Sequence, residues 1–140
     1  MELFQKTASE LSALLQRGEV SARELTEAMA SRTEQVEKTV GAYISTDFDA
    51  AMRRASEIDE KRAAGEALSP LAGIPVAVKD NICTKGTKTT CASKMLENFV
   101  PFYNATVVDK LNEAGLVITG KTNLDEFAMG SSCENSALQK

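Results

Sequence analysis

The sequence contains no histidine and no tryptophan, and its aromatic content is 5%. Within these 140 residues the absence of imidazole excludes a Ser-His-Asp triad, a Cys-His pair and any His-ligated metal. A general base here must be a carboxylate, a lysine or a tyrosine. Cysteine is sparse. Cys83, Cys91 and Cys133 include no pair at metal-ligand spacing. They read as reduced thiols of a cytoplasmic protein, and a catalytic cysteine needs a base beside it. No apolar run is long enough to span a bilayer, so no membrane contact is expected. The segment Met1-Glu2-Leu3-Phe4-Gln5-Lys6 lacks the basic-then-apolar layout of a signal peptide. The net charge of -4 gives no overall attraction to nucleic acid or anionic membrane. Repeats and low-complexity linkers are also missing.

What is present alternates between helix and strand signals. Phe4, Ala8, Leu11 and Leu15 recur at helical spacing, with Gly18 as a stop. Ser21 and Glu24 have the spacing of a capping box. They open a second helix with Leu25, Ala28, Met29 and Val36 on one face, ended by Gly41. Residues 42–46 read as a short strand. Asp47 caps a third helix that turns Phe48, Ala51, Met52, Ala55 and Ile58 inward and Arg53, Arg54, Glu57, Glu60 and Lys61 to water. After a loop at residues 64–70, Ile74, Val76 and Val78 form a short buried strand. Residues 82–103 show no sustained period and read as loops with short strand or helix pieces. Asn104 is expected to cap a helix to about Glu113, with Val107, Val108 and Leu111 inward. Residues 116–119 form another buried strand, and Asn123 and Glu126 open a short helix. Two buried strands separated by a helix imply a crossover unit in a largely parallel sheet covered by helices. The fold class is α/β. Residues 1–68 are mainly helical, and residues 69–140 hold the first core strands, the crossover helix and a lysine motif. Two strands leave sheet edges open, so the chain is expected to be the N-terminal portion of a single larger domain.

The residue that stands out is Lys79, at the end of the strand through Val78. Ligand sites gather at the carboxyl ends of strands in open sheets. A desolvated lysine loses basicity and becomes a proton acceptor. The plain alternative is a lysine that rests its stem on apolar surface and keeps its ammonium in water. Gly130-Ser131-Ser132 reads as a turn, or as a loop offering hydroxyls and backbone N–H groups to a substrate. Gly120-Lys121-Thr122 resembles the tail of a phosphate-binding loop but lacks the upstream glycine at the required spacing. Asp125 and Glu126 read as a paired-carboxylate site or, more simply, as residues that suit the start of a short helix through its dipole.

The stretch Gly73-Ile74-Pro75-Val76-Ala77-Val78-Lys79-Asp80-Asn81-Ile82 resembles the lysine motif of the amidase signature family. The run from Gly120-Lys121-Thr122-Asn123 through Gly130-Ser131-Ser132, with Glu134-Asn135-Ser136 after it, is similar to the branch of that family that forms the glutaminase subunit of tRNA-dependent amidotransferases. The resemblance implies a mixed, largely parallel sheet covered by helices, incomplete over residues 1–140. It implies a Ser–cis-Ser–Lys triad in which Lys79 is the lysine, with Met129, Gly130 and Ser131 on a loop near the acyl site. Both triad serines lie downstream in the family, so Ser131 and Ser132 are not those serines.

The implied activity is hydrolysis of glutamine to supply ammonia for amidating misacylated Glu-tRNA(Gln), Asp-tRNA(Asn) or both. The implied partners are two further subunits of a heterotrimer, one of which uses ATP and magnesium; the chain itself needs no cofactor. The last residues, Leu138-Gln139-Lys140, depart from the family's usual continuation. The chain alone is therefore expected to be inactive and to aggregate. The competing readings are a stand-alone amidase acting on another amide and a non-enzymatic remnant.

Overall fold

The computed structural model describes residues 2–140. In chain order it contains a 3-10 turn at Leu3–Gln5, α1 (Ala8–Arg17), α2 (Ala22–Val40), β1 (Tyr43–Thr46) and α3 (Phe48–Ala63). β2 (Pro75–Lys79), α4 (Thr106–Glu113), β3 (Val117–Thr122) and a 3-10 turn at Glu126–Ala128 follow. The order is the expected one, and the limits of the elements follow their caps. The first helix starts later than the apolar spacing suggests. Thr7 accepts the N–H of Glu10 while the Glu10 carboxylate accepts the N–H of Thr7, and this box leaves Phe4 outside α1. Ser21 and Glu24 make the same reciprocal pair at the start of α2. Asp47 caps α3 by accepting the N–H of Ala50.

The chain divides into two compact units. One comprises the chain up to Val36, Asp47–Val76 and Leu111–Thr119; the other comprises Glu37–Thr46, Ala77–Lys110 and Gly120–Lys140. In the first, Leu11 and Leu15 of α1, Leu25 of α2, and Ala51, Ala55 and Ile58 of α3 form an apolar cluster with Ala72, Ile74 and Val117. Each fully buried leucine or isoleucine there contributes roughly 1.5–3 kcal/mol. The Asp59 carboxylate on α3 accepts the N–H groups of Ala22 and Arg23, at 2.8 and 3.0 Å, and so satisfies the free end of α2. Gly73 shows why the chain needs glycine just before β2. Its φ is +91°, and a Cβ there would lie 2.8 Å from the Cβ of Ala22.

The sheet order is β1-β3-β2. β1 and β3 are antiparallel, pairing Tyr43 with Thr122, Ser45 with Lys121 and Thr46 with Gly120 across an irregularity between Tyr43 and Ser45. The bonds beside β2 rise together along both chains: Gly73 N–H to Gly115 O, Val117 N–H to Ile74 O, and Asp80 N–H to Thr122 O. This is the parallel arrangement expected across a helical crossover, and with β1 the sheet is mixed.

Four local expectations need correction. Asn104 does not cap α4, because its side-chain oxygen accepts the N–H of Lys85 and its amide donates to Asp109. Val107 is exposed, and only Val108 of α4 is buried. Residues 82–103 hold turns but no strand or helix. β3 continues through Gly120 and Lys121, so those residues belong to the strand and not to a turn after it. Among the described residues no helix is long and apolar enough to cross a membrane.

Candidate active site

Lys79 is the last residue of β2, as expected, and it is exposed. The strand's alternation explains why. Val78 and Asp80 flank it and are buried, Asp80 completely, so residue 79 leaves from the other face of the strand, as Ala77 does. The buried face ends in a group that periodicity does not reveal. Asp80 and Lys121 have no exposed side-chain surface, and Lys121 Nζ lies 3.4 Å from Asp80 Oδ1. Lys121 Nζ also donates to Ile82 O and to Thr89 Oγ1, each at 2.9 Å. Asp80 Oδ2 accepts the N–H of Thr90 at 3.0 Å and the Thr90 hydroxyl. Burial pushes the Lys121 ammonium below the usual lysine range, and the Asp80 carboxylate pulls it back. The phosphate-loop likeness of Gly120-Lys121-Thr122 therefore has no structural counterpart: this lysine is spent inside the protein.

The next segment links this strand end to the loop of the other candidate residues. Cys91 N–H donates to Asp80 O at 2.9 Å, and Phe127 N–H donates to Cys91 O at 2.9 Å. Two backbone hydrogen bonds thus connect the residue after Lys79 with the 3-10 turn at Glu126–Ala128. Backbone strain gathers at both contacts, since Cys91, Ala92, Phe127 and Ala128 all have φ between +52° and +63°. The Cys91 thiol is a poor nucleophile here, because burial and then the Asp80 carboxylate push its pKa up. All three cysteines are free, and among the described residues no cluster of Cys, Asp and Glu could hold a metal.

Met129, Gly130 and Ser131 lie on an exposed loop. Asp125 organises that loop. Its carboxylate accepts the N–H groups of Ser132 and Cys133 at 3.0 Å and of Asn135 at 2.9 Å. It packs so closely that a Cβ on Gly130 would lie 2.4 Å from its Cγ. Asp125 stands at the start of the 3-10 turn, as expected, but its side chain makes no cap bond there and folds back onto the loop that follows. The hydroxyl of Ser132 is turned to Glu134, 2.9 Å away.

These backbone N–H bonds hold the Asp125 carboxyl below the ordinary aspartate value of 3.8. The stability they supply is complete above the unfolded pKa, about 4, and is lost as pH falls through the lowered native value. Thermal melts of the wild type and Asp125→Asn should therefore differ by a constant amount above about pH 4 and converge below it. A difference independent of pH down to acid unfolding would show that the charge on Asp125 is not what holds the loop.

A family model described as Amidase matches residues 24–140. The chain belongs to the amidase family. It is 57% identical, over 138 residues, to the A subunit of the glutamyl-tRNA(Gln) amidotransferase of Heliobacterium modesticaldum, covering 99% of this chain and 28% of that protein. The chain thus spans a little over a quarter of the length of the relative it matches. Among solved structures, the native peptide amidase of Stenotrophomonas maltophilia matches with a TM-score of 0.81 and 35% identity, covering 87% of this chain and 25% of that one. The corresponding glutamyl-tRNA(Gln) amidotransferase subunit of Thermotoga maritima matches with a TM-score of 0.64 and 39% identity, covering 83% and 23%.

Proposed function

We propose that this segment supplies the general base of an amide-hydrolysing subunit that releases ammonia from glutamine for a tRNA-dependent amidotransferase. The observation that carries the reading is the 57% identity to a glutamyl-tRNA(Gln) amidotransferase subunit over 99% of the chain. Lys79, exposed at the end of β2, is the one amine that the lysine motif of the family places in the chemistry. The nucleophilic and bridging serines are not among residues 1–140.

In the first step the bridging serine passes the proton of the nucleophilic serine to the Lys79 amine, and the serine oxygen attacks the side-chain amide carbon of glutamine. The tetrahedral intermediate collapses to an ester, the proton held by Lys79 returns to the leaving nitrogen, and ammonia departs. Water then attacks the ester by the same proton path and releases glutamate. In the assembled enzyme a partner subunit uses ATP and magnesium to activate the side-chain carboxylate of misacylated Glu-tRNA(Gln), and ammonia converts it to Gln-tRNA(Gln). The loop at Met129, Gly130 and Ser131, held by Asp125, contacts the acyl group. Residues 1–140 alone hydrolyse no amide.

The test is the full-length subunit, purified in isolation and with its partner subunits. Glutamine-dependent formation of Gln-tRNA(Gln) from Glu-tRNA(Gln) in the complex is the expected result. Vigorous hydrolysis of unrelated amides by the isolated subunit, with no tRNA product in the complex, would establish a stand-alone amidase instead.

A further inference from the structure

Asp80 and Lys121 are wholly buried charges that the chemistry above does not use. Burying such a pair brings little net stability, because desolvation offsets most of the attraction. Its place is more informative than its energy: Asp80 is the residue directly after Lys79. We propose that Asp80, held by Lys121 and Thr90, is a positioning residue that fixes the direction in which Lys79 leaves β2. The inference rests on the reading of Lys79 as the base.

Residue 80 is hydrogen-bonded through its backbone and one carboxylate oxygen. Its N–H donates to Thr122 O at 3.0 Å, and its carbonyl accepts the N–H of Cys91 at 2.9 Å. Carboxylate Oδ2 accepts the N–H and the hydroxyl of Thr90. Oδ1 makes no hydrogen bond and faces Lys121 Nζ at 3.4 Å. Lys121 is fixed in turn by Ile82 O and Thr89 Oγ1, and by β3 itself, paired to β1 through Ser45. Side chains alternate along a strand, so anchoring residue 80 on the buried face commits residue 79 to the opposite one. A slip or twist at the end of β2 would swing the four-carbon stem of Lys79 away from its proton donor. Misplacement of a reacting group by about 1 Å costs about 100-fold in rate.

The double variant Asp80→Asn/Lys121→Met removes both charges together and keeps side chains of similar length in place. In the full-length subunit with its partners it should lower kcat for glutamine hydrolysis by about 10- to 100-fold and leave KM within about twofold. Thr90→Val, which removes the hydroxyl that donates to Asp80 and accepts the N–H of Ala92, should lower kcat by about 3- to 10-fold, and Thr90→Ser should restore it. Leu15→Ala, in the apolar cluster of the other unit, is the control: it lowers the melting temperature and leaves kcat and KM unchanged. A merely structural role would instead make the Asp80 and Thr90 variants behave like this control.

Lys79→Ala, assayed alongside, separates the two claims. Normal activity in Lys79→Ala overturns the base assignment. An inactive Lys79→Ala together with wild-type kcat in the folded double variant and in Thr90→Val overturns the positioning role and leaves the base standing. If the double variant does not fold, the Thr90 pair decides alone.

Discussion

Lys79→Ala in the full-length subunit is expected to lower glutamine hydrolysis by about 10³- to 10⁴-fold, the span of a general base lost from an acyl-transfer site. Neither of the buried charges next to the strand end, Asp80 or Lys121, is free to take over. There is no histidine in these residues. The adjacent carboxylate, Asp80, is fully buried and occupied by Lys121 and Thr90. Lys121 is itself enclosed and donates to Ile82 and Thr89. Lys79→Arg should be as inactive as the alanine variant, because a guanidinium keeps its proton in water and in proteins. Amidation of misacylated tRNA with free ammonia as donor should survive both changes, since the proposed function assigns that step to a different subunit. Near-normal ammonia release from glutamine by Lys79→Ala would remove Lys79 from the chemistry. Loss of the ammonia-dependent reaction as well would point to a disturbed assembly.

The second large effect is on stability. Lys121→Met should cost about 3–5 kcal/mol, the penalty for removing one member of a buried pair and leaving the other charge uncompensated. Asp80 Oδ1 has no hydrogen bond even in the intact protein, so it depends on the ammonium alone. Ile82 O and Thr89 Oγ1 lose a donor at the same time. Asp80→Asn added to Lys121→Met should recover part of that loss, with a coupling of about 0.5–3 kcal/mol between the two sites. Urea unfolding of the four proteins measures this directly. A Lys121→Met protein within about 1 kcal/mol of wild type would mean that water reaches the pair.

The sequence and the structure part company at particular residues. The caps at Ser21 and Asp47 are legible because each is made by hydrogen bonds within four residues. The crossover from β2 through α4 to β3 is legible from two apolar runs with a helix between them. Asn104 misleads because its side chain bonds to Lys85, nineteen positions away, which no local rule encodes. Lys121 escapes notice because charged residues in strands usually face water. One signal is available: Val117, Thr119 and Lys121 alternate on one face of β3, and all three are buried. Extending the strand by two residues places the lysine inside. Asp125 has the same origin, since its three N–H donors come from residues seven to ten positions downstream.

By itself the sequence determined the order of the elements, the exclusion of imidazole chemistry and the lysine motif, because these depend on residue identity and short-range periodicity. Only the tertiary structure decided that Lys79 is exposed and Lys121 enclosed. Lys79 and Lys121 are both strand lysines next to polar residues, and periodicity alone does not rank them. The difference arises where β1, β3 and the 82–91 segment of the second unit enclose Lys121 with Asp80, while alternation along β2 turns Lys79 outward. A charge can be buried only where a long-range partner compensates it, and such partners are set by the fold.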